Sequence, residues 1–446
     1  MILSTLFGRE QDVAYIRQCT AAGNCTSIVG VSNLGKSLLL RHLCTTTNDK
    51  NTPTYVYIDC NQMHTRTTRA LFTTIWRELV AVLESRIDDA DATMRAQKLL
   101  DNMIASTDTQ SIGMLFDQGI ALALKHLPHP LVLMLDDFDE AYQHIEPQTF
   151  LNLRALKDRH DGELVYITAT ERELYRLNKS REQGEFYELI SPRVHFLNFM
   201  SADDTKQYCN TFAAREHVTF SNADIAFIQQ NADGHPGLVQ AVCYVLGRVT
   251  GEPTRNQHQD RVIHQIVQDN LATDVDVQSE CEKIWDDLEA DEREILLHLV
   301  HNNNESQDTA THSLHNKFIL REIEENLEIY PRLFADYVRR QKLQQQPDSR
   351  GIFLDVDAGE AFIDGKPTEA LTDLEFRLLT YLYGKLDRVC DKYSIVENVW
   401  GQQFIDDVDD GRIEKLVSRV RSKIETDPAK PRYLLSVRGR GYKLVR

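Results

Sequence analysis

Eight consecutive residues, Gly30-Val31-Ser32-Asn33-Leu34-Gly35-Lys36-Ser37, satisfy the pattern G-x-x-x-x-G-K-[ST] at every fixed position. The residue types suit one chemistry. Gly30 and Gly35 let backbone N–H groups curl around anionic oxygens, with Asn33 and Leu38 completing the cradle at the start of a helix. Lys36 would reach the β/γ-phosphate oxygens of ATP or ADP, and the Ser37 hydroxyl would ligate Mg2+. A second stretch, Leu131 to Glu140, runs apolar to Leu135 and then turns acidic at Asp136-Asp137-Phe138-Asp139-Glu140. It suits a buried parallel strand whose C-terminal end delivers carboxylates to a ligand crevice. Asp136 is then the magnesium-directed carboxylate, and Asp137 the candidate for orienting an attacking water. Each stretch alone has a plain explanation, a glycine-containing turn or a solvated acidic turn. In this order and spacing they point together to a nucleoside triphosphate site.

The surrounding patterns supply elements to hold these groups. Ser27-Ile28-Val29 is short, apolar and β-branched, and Leu38 to Leu43 has a helical apolar face, so the loop lies between a strand and a helix. Thr54 to Cys60 reads as a strand, Arg69 to Leu83 and Ile112 to Leu127 as helices, Gly162 to Thr170 as a further strand and Val194 to Leu197 as a fifth. Residues 84–110 read as a covering helix pair or an insertion. Alternating strands and helices predict an α/β core with a parallel sheet over 1–199. From Ser201, an N-cap with acid in the first turn, the pattern turns helical over 200–250. A polar connector and further helices fill 251–342, a Gln-rich linker is expected at 343–350, and a separate domain at 351–446.

At 446 residues the chain exceeds one ordinary core, and 26% charged with 42% apolar residues describes a globular protein. No apolar run reaches the ~18 residues of a membrane span, and the first ten residues lack a basic segment before an apolar one, so a cytoplasmic protein away from membranes is expected. The eight cysteines are scattered, with no C-x-x-C pair. A net charge of −18 argues against a surface that binds nucleic acid all over. Its distribution is uneven. Gly411 to Arg446 holds eleven Lys/Arg against three Asp/Glu, a net of +8, so the remainder carries −26.

Particular phrases resemble known families. Phe7-Gly8-Arg9-Glu10, ahead of the loop strand, is similar to the opening of AAA+ and STAND P-loop ATPases, which implies that Arg9 lies near adenine. Thr170-Glu171-Arg172 ends the strand where related ATPases place a γ-phosphate sensor, implying that role for Arg172, with Arg154 and Arg193 as weaker candidates for an arginine finger in trans. Gly234-His235-Pro236 resembles the G-x-P turn of the STAND helical lid. This implies that Pro236 packs on the nucleotide and His235 lies near the phosphates. Leu333-Phe334-Ala335-Asp336-Tyr337-Val338 resembles the end of the STAND winged helix, so two winged-helix domains are expected, the first within 251–342.

The second follows from Val399-Trp400-Gly401, Val417 to Ile424 and Val437-Arg438-Gly439-Arg440-Gly441-Tyr442, which resemble the OmpR-type winged helix-turn-helix throughout 351–446. The resemblance implies double-stranded DNA as partner. Arg412, Lys415, Arg419 and Lys423 would face the major groove from the third helix, and Arg438 and Arg440 would reach phosphates or the minor groove from the wing. Leu416 stands where the family usually has a polar residue or His, so base preference does not carry over. The resulting expectation is a slow ATPase acting as a STAND-type switch, oligomeric in one nucleotide state, that controls a DNA-binding domain in signal-responsive transcription. An ATP-dependent signalling or antiphage-defence scaffold that recruits a protein effector, or an initiator-like AAA+ motor, stays open as an alternative.

Overall fold

Five parallel strands form the floor on which the nucleotide-loop residues stand. The computed structural model describes residues 6–45, 52–177, 179–249, 257–300, 309–323, 326–345, 351–355, 360–364, 366–369, 371–401, 410–437 and 439–445. In chain order the first part runs α1 (Glu10–Ala21), β1 (Thr26–Val29), α2 (Lys36–Thr45), β2 (Thr54–Asp59), α3 (Thr68–Arg86), α4 (Ala90–Ala105), α5 (Thr109–His126), β3 (Leu131–Asp136), α6 (Asp139–His144), α7 (Gln148–Arg159), β4 (Leu164–Thr170), α8 (Leu174–Leu177), α9 (Arg181–Tyr187) and β5 (Val194–Phe196). The sheet order is β2-β3-β4-β1-β5. Every neighbouring pair is parallel, with Val29 beside Thr170 and Asp59 beside Asp136. The three central strands are buried along their whole length, which is why they read as continuous apolar runs instead of alternating ones. Register brings the C-terminal ends of β1, β3 and β4 to one edge, and with them the loop, Asp136 and Glu171.

The covering helices reflect their caps and apolar faces. Thr67, Asp89 and Asp108 accept backbone N–H bonds at the starts of α3, α4 and α5. Residues 84–110 thus hold one helix between two long ones, not a separate insertion. Gly119 of α5 lets the Trp76 ring pass, since a Cβ there would lie 2.8 Å from it. Phe72 and Phe116 stack beside it at 4.1 Å.

The helical part follows as α10 (Ala202–Glu216), α11 (Asn222–Ala232), α12 (Pro236–Val249) and α13 (Gln257–Leu271). Ser201 with Asp204, and Ser221 with Asp224, close reciprocal capping boxes at the starts of α10 and α11. Then α14 (Val275–Asp286), α15 (Ala290–Leu299) and α16 (Thr309–Asn316) precede an antiparallel pair, β6 (Leu320–Ile323) and β7 (Asn326–Ile329), before α17 (Arg332–Gln345). Three helices and a hairpin are the expected first winged helix. The polar connector is less exposed than its composition implies, because α13 buries Val267 and Leu271.

The last part comprises β8 (Ile352–Asp355), β9 (Glu360–Ile363), β10 (Lys366–Pro367), α18 (Asp373–Tyr383), α19 (Lys392–Val399), α20 (Asp410–Ile424), β11 (Leu434–Val437) and β12 (Gly441–Leu444). Thr372 and Glu375 form the expected capping box at α18. A separate apolar core holds this part together, with Leu378, Leu382, Ile395, Leu416, Val420 and Leu434 buried in it. The chain divides into two compact units, Met1–Val338 and Arg339–Arg446. One difference from the sequence reading concerns 343–350: α17 continues through Gln345 despite the Gln-rich composition, because glutamine is a good helix former. Residues 346–350 lie outside the described residues.

Inside the first unit a charged pair is fully enclosed. Lys317 Nζ donates to both Glu292 oxygens at 2.9 Å, both side chains have no exposure, and Arg176 of α8 comes within 3.7 Å. Breaking such a pair leaves a bare buried charge. We expect Lys317→Ala to destabilise this unit by about 3–5 kcal/mol, read as a drop in its urea midpoint. The double change Lys317→Met with Glu292→Leu restores most of it.

Candidate nucleotide site and DNA-contact face

The loop between β1 and α2 is stretched over the end of the sheet. Gly35 has φ +89° and Asn33 +60°, left-handed values that turn backbone N–H groups inward ahead of the α2 N-terminus. Gly30 is needed for space instead: a Cβ there would meet the Leu34 side chain at 2.9 Å. Lys36 is buried, and its Nζ donates to Gly30 O at 2.7 Å and lies 2.9 Å from Glu171 Oε1. Burial works against this ammonium, but Glu171 beside it outweighs the penalty and raises its pKa. Burial would likewise raise Glu171; Lys36 and a hydrogen bond from Asp139 hold it at about 2. Asp139, whose carboxylate oxygens accept from the N–H groups of Glu171 and Arg172, is pushed well up by burial and by Glu171. Asp139 and Glu171 thus shift in opposite directions, Asp139 toward its neutral form and Glu171 toward its charged one.

Asp136 is fully buried at the end of β3. Its Oδ2 accepts from Tyr57 Oη at 2.6 Å, and its Oδ1 has no hydrogen-bond partner. Arg41 lies over the Tyr57 ring at 4.7 Å and donates to its hydroxyl at 3.0 Å. A buried carboxylate oxygen without a donor, at the end of the strand beside the loop strand's neighbour, is of the donor type a hydrated Mg2+ would take, together with the Ser37 hydroxyl. Asp137 has φ +50° and accepts from Asn61 Nδ2 at 2.7 Å. Burial, with Asp136 and Glu171 close by, raises its pKa to about 6.

Of these groups Lys36, Arg41, Asp137 and Glu171 line a cavity of about 1050 Å³, large enough for a nucleotide, while Asp136 is buried and does not line it. Its walls include Ser32 to Leu38, Asp137 and Glu171 at one end, and Phe7, Tyr208, Arg215, Pro236, Gln240 and Tyr244 elsewhere. Arg9 lines it too, though as a brace: it donates to Leu34 O and Asn198 O at 2.8 Å each and pairs with Asp12. Asp12 also receives His195 Nε2 at 2.6 Å, and that ring stacks on Tyr15.

The turn before α12 is set by conformation. Asp233 and Gly234 both have positive φ, +46° and +81°, and a Cβ on Gly234 would stand 2.1 Å from Met200 O. Pro236 then starts α12 and faces the cavity. His235 has no exposure and does not line the cavity. Its Nδ1 accepts from Leu238 N–H at 3.2 Å, so the proton sits on Nε2 and is donated to Ser32 O at 3.1 Å. His235 thus meets the loop through the Ser32 carbonyl and not through the cavity wall.

Other sequence candidates lie apart from the cavity. Arg172 is within 4 Å of Asp139, Glu140 and Glu289, turned toward the start of α15. Arg154 pairs with Asp158 and donates to Glu185 O. Arg193 precedes β5, where its carbonyl accepts from Thr26. Glu171, Asp139 and Tyr57 were not singled out in the sequence, and only Glu171's place just past a strand end hinted at a role.

In the second unit Arg412, Lys415 and Arg419 are exposed on α20, and Arg440 is exposed at the hairpin tip. Lys423 is not free: its Nζ lies 2.7 Å from Glu375, which also stands 3.9 Å from Arg419. Helical geometry explains it. The core side of α20 carries Ile413, Leu416, Val417, Val420 and Ile424, and the positions opposite are Gly411, Lys415, Ser418 and Ser422. Lys423 sits to the side, toward α18. Arg421, also basic, pins the helix to the hairpin through Leu434 O at 2.8 Å and Ser436 Oγ at 2.9 Å. Arg438 lies outside the described residues.

Residues 5–167 match the family described as AAA ATPase domain, and residues 365–444 the family described as transcriptional regulatory protein, C terminal. The chain joins an AAA ATPase domain to an OmpR-type DNA-binding domain. Relatives of the latter include the sensory transduction protein RegX3 of Mycolicibacterium smegmatis, 40% identical over 91 residues, covering 20% of this chain and 39% of that protein. RegX3 of Mycobacterium tuberculosis H37Rv is 38% identical over 97 residues, 22% of this chain and 41% of its own. The chain thus spans about two-fifths of the length of these relatives. The Walker-type ATPase PABY2304 of Pyrococcus abyssi shares the fold of the first unit at 12% identity, with a TM-score of 0.50 over 75% of this chain and 96% of that one. Among the described residues no helix is long and apolar enough to cross a membrane, and all eight cysteines are free thiols.

Burial lowers His235 to about 4, whereas an unfolded histidine titrates near ~6.5. A depressed histidine contributes stability that is complete above about 6.5 and is lost as pH falls from there toward 4. We expect His235→Gln to flatten the acid-side loss of the urea midpoint between about pH 7 and 5, while lowering it at pH 7.5.

Proposed function

We propose that this protein is a cytoplasmic STAND-type switch in which ATP and Mg2+ at the Lys36 loop control DNA binding by the second unit, as a signal-responsive transcriptional regulator. The observation that carries this reading is the grip of the first winged helix on the phosphate loop: Ser32 donates to Asp287, and Asn33 Nδ2 donates to Glu280 at 2.7 Å. A ligand that orders the loop must act on that winged helix, because only a ligand with different affinity for two arrangements can shift between them.

In this reading Lys36 and the loop N–H groups hold the phosphates, Ser37 and Asp136 hold Mg2+, and Asp137 orients water for slow hydrolysis. Magnesium supplies neutralisation of the phosphate charge when bound. Pro236 packs on the nucleotide, and the apolar and aromatic cavity wall takes the base. Arg172 senses the terminal phosphate after leaving its acidic partners, and Arg154 or Arg193 of a neighbouring copy completes the site in a nucleotide-dependent homo-oligomer. Lys415, Arg419, Arg412 and Arg440 contact duplex DNA, and so does Arg438.

The test is binding of a duplex library to the full chain with ATP, ADP or no nucleotide. Selected duplexes are expected to bind in a nucleotide-dependent way. Lys36→Ala is expected to weaken nucleotide binding at least ~30-fold, the loss of one charge-assisted contact of about 2 kcal/mol, and to abolish the dependence. Arg440→Ala and Lys415→Ala are each expected to lower the salt slope of DNA binding by about 1. Absence of binding above the nonspecific level in every nucleotide state would defeat the regulator and leave an effector-recruiting scaffold.

A further inference from the structure

One pair of donors in the loop, the N–H and hydroxyl of Ser32, already has an anionic partner in this chain. Ser32 gives both its N–H and its hydroxyl to the carboxylate of Asp287, the residue whose backbone N–H caps the C-terminal end of α14. Two further acids crowd the same loop, Glu171 on Lys36 and Glu280 on Asn33. Close packing at Gly237, where a Cβ would meet Glu280 and Asn33, seats α14 against the loop and the α12 start together. Asp287 is half-buried, and Glu171 and Lys36 both act on its titration.

We infer that Asp287 is a specificity-determining residue of the nucleotide site, a carboxylate supplied by the first winged helix that occupies loop donors and so discriminates against a nucleoside triphosphate relative to a diphosphate. This rests on the reading of the loop as a nucleotide site and specifies how the winged helix registers the terminal phosphate. A carboxylate and an additional phosphate cannot share the Ser32 donors, and their like charges repel in a partly dehydrated setting. A diphosphate leaves one phosphate fewer to accommodate, so it tolerates Asp287 in place. Burial is the main cause of the rise of Asp287 to about 6, with Ser32 and Lys36 opposing it, as expected of a carboxylate held in a cradle short of water.

The experiment measures affinities of the full chain for Mg-ADP and for a Mg-bound non-hydrolysable ATP analogue, by displacement of a fluorescent nucleotide. Asp287→Asn keeps an oxygen acceptor for Ser32 and removes the charge. The expected result is a rise of about tenfold in the preference for the ATP analogue over ADP, the size of one modest charge interaction, with ADP affinity within about twofold. Asp287→Ala is expected to do the same, so poor folding of one variant does not decide the outcome. Glu280→Gln, which touches only the Asn33 side chain, is expected to shift the ratio less. If both ligands gain or lose affinity together in the Asp287 variants, or neither changes, Asp287 does not discriminate and the inference fails while the nucleotide site stands. If the unaltered protein binds neither ligand, the nucleotide site itself fails and the inference with it.

Discussion

The buried Lys36 ammonium is the charge on which the first unit is arranged. An isolated ammonium at that depth would be costly, and the Glu171 carboxylate beside it offsets the cost, with Asp139 packed against the same acid. That arrangement fixes the ends of three strands relative to one another: the loop after β1, Asp139 just past β3, and Glu171 just past β4. Parallel register does the rest, since neighbouring strands in this order must end together at the crevice.

The same few residues lead outward. Glu171 faces the loop, Arg172 faces Glu289, Glu173 accepts from Ser313, and Arg176 reaches Asp291 and Glu292. The chain leaving β4 therefore touches the phosphate loop with one residue and the winged helix with the next several. On the other side Asp287 and Glu280 touch the loop directly. Two routes thus connect one small site to one movable-sized body of three helices and a hairpin, through hydrogen bonds short enough to be sensitive to displacement. The lid joins in through His235 on Ser32 and through Asp233, which accepts from Arg332 N at 2.8 Å.

The second unit solves a different problem with the same means. A cationic helix must keep its positive side chains available while its opposite face packs, and α20 does so by placing Lys415 away from the core. Glu375 draws Lys423 aside while completing the α18 capping box, so one acid both fixes the start of a helix and trims the basic face. The opposite charge of the two stretches of sequence, +8 over Gly411 to Arg446 and −26 over the rest, then confines the favourable field to a small part of the surface.

Local chemistry made much of this legible in the sequence. The loop pattern, the apolar run ending at Asp136, the capping boxes at Ser201 and Thr372 and the glycine-rich wing are short-range signals, because each needs only residues within a few positions of one another. The five strands and the long helices follow from periodicity, and the separation of the basic tail from the acidic remainder from charge composition, whereas the short helices α6, α8 and α9 carry no such signal. What the tertiary structure decided was which side chains meet. Lys36 and Glu171 are 135 positions apart, Ser32 and Asp287 are 255 apart, and no local pattern marks either pair. Whether Lys423 faces outward or toward Glu375 depends on the rotation of α20 about its axis, set by five buried side chains packing against α18 and the hairpin. His235 was readable as part of a turn, but its burial, its tautomer and its grip on Ser32 come from the packing of the turn before α12 against the loop.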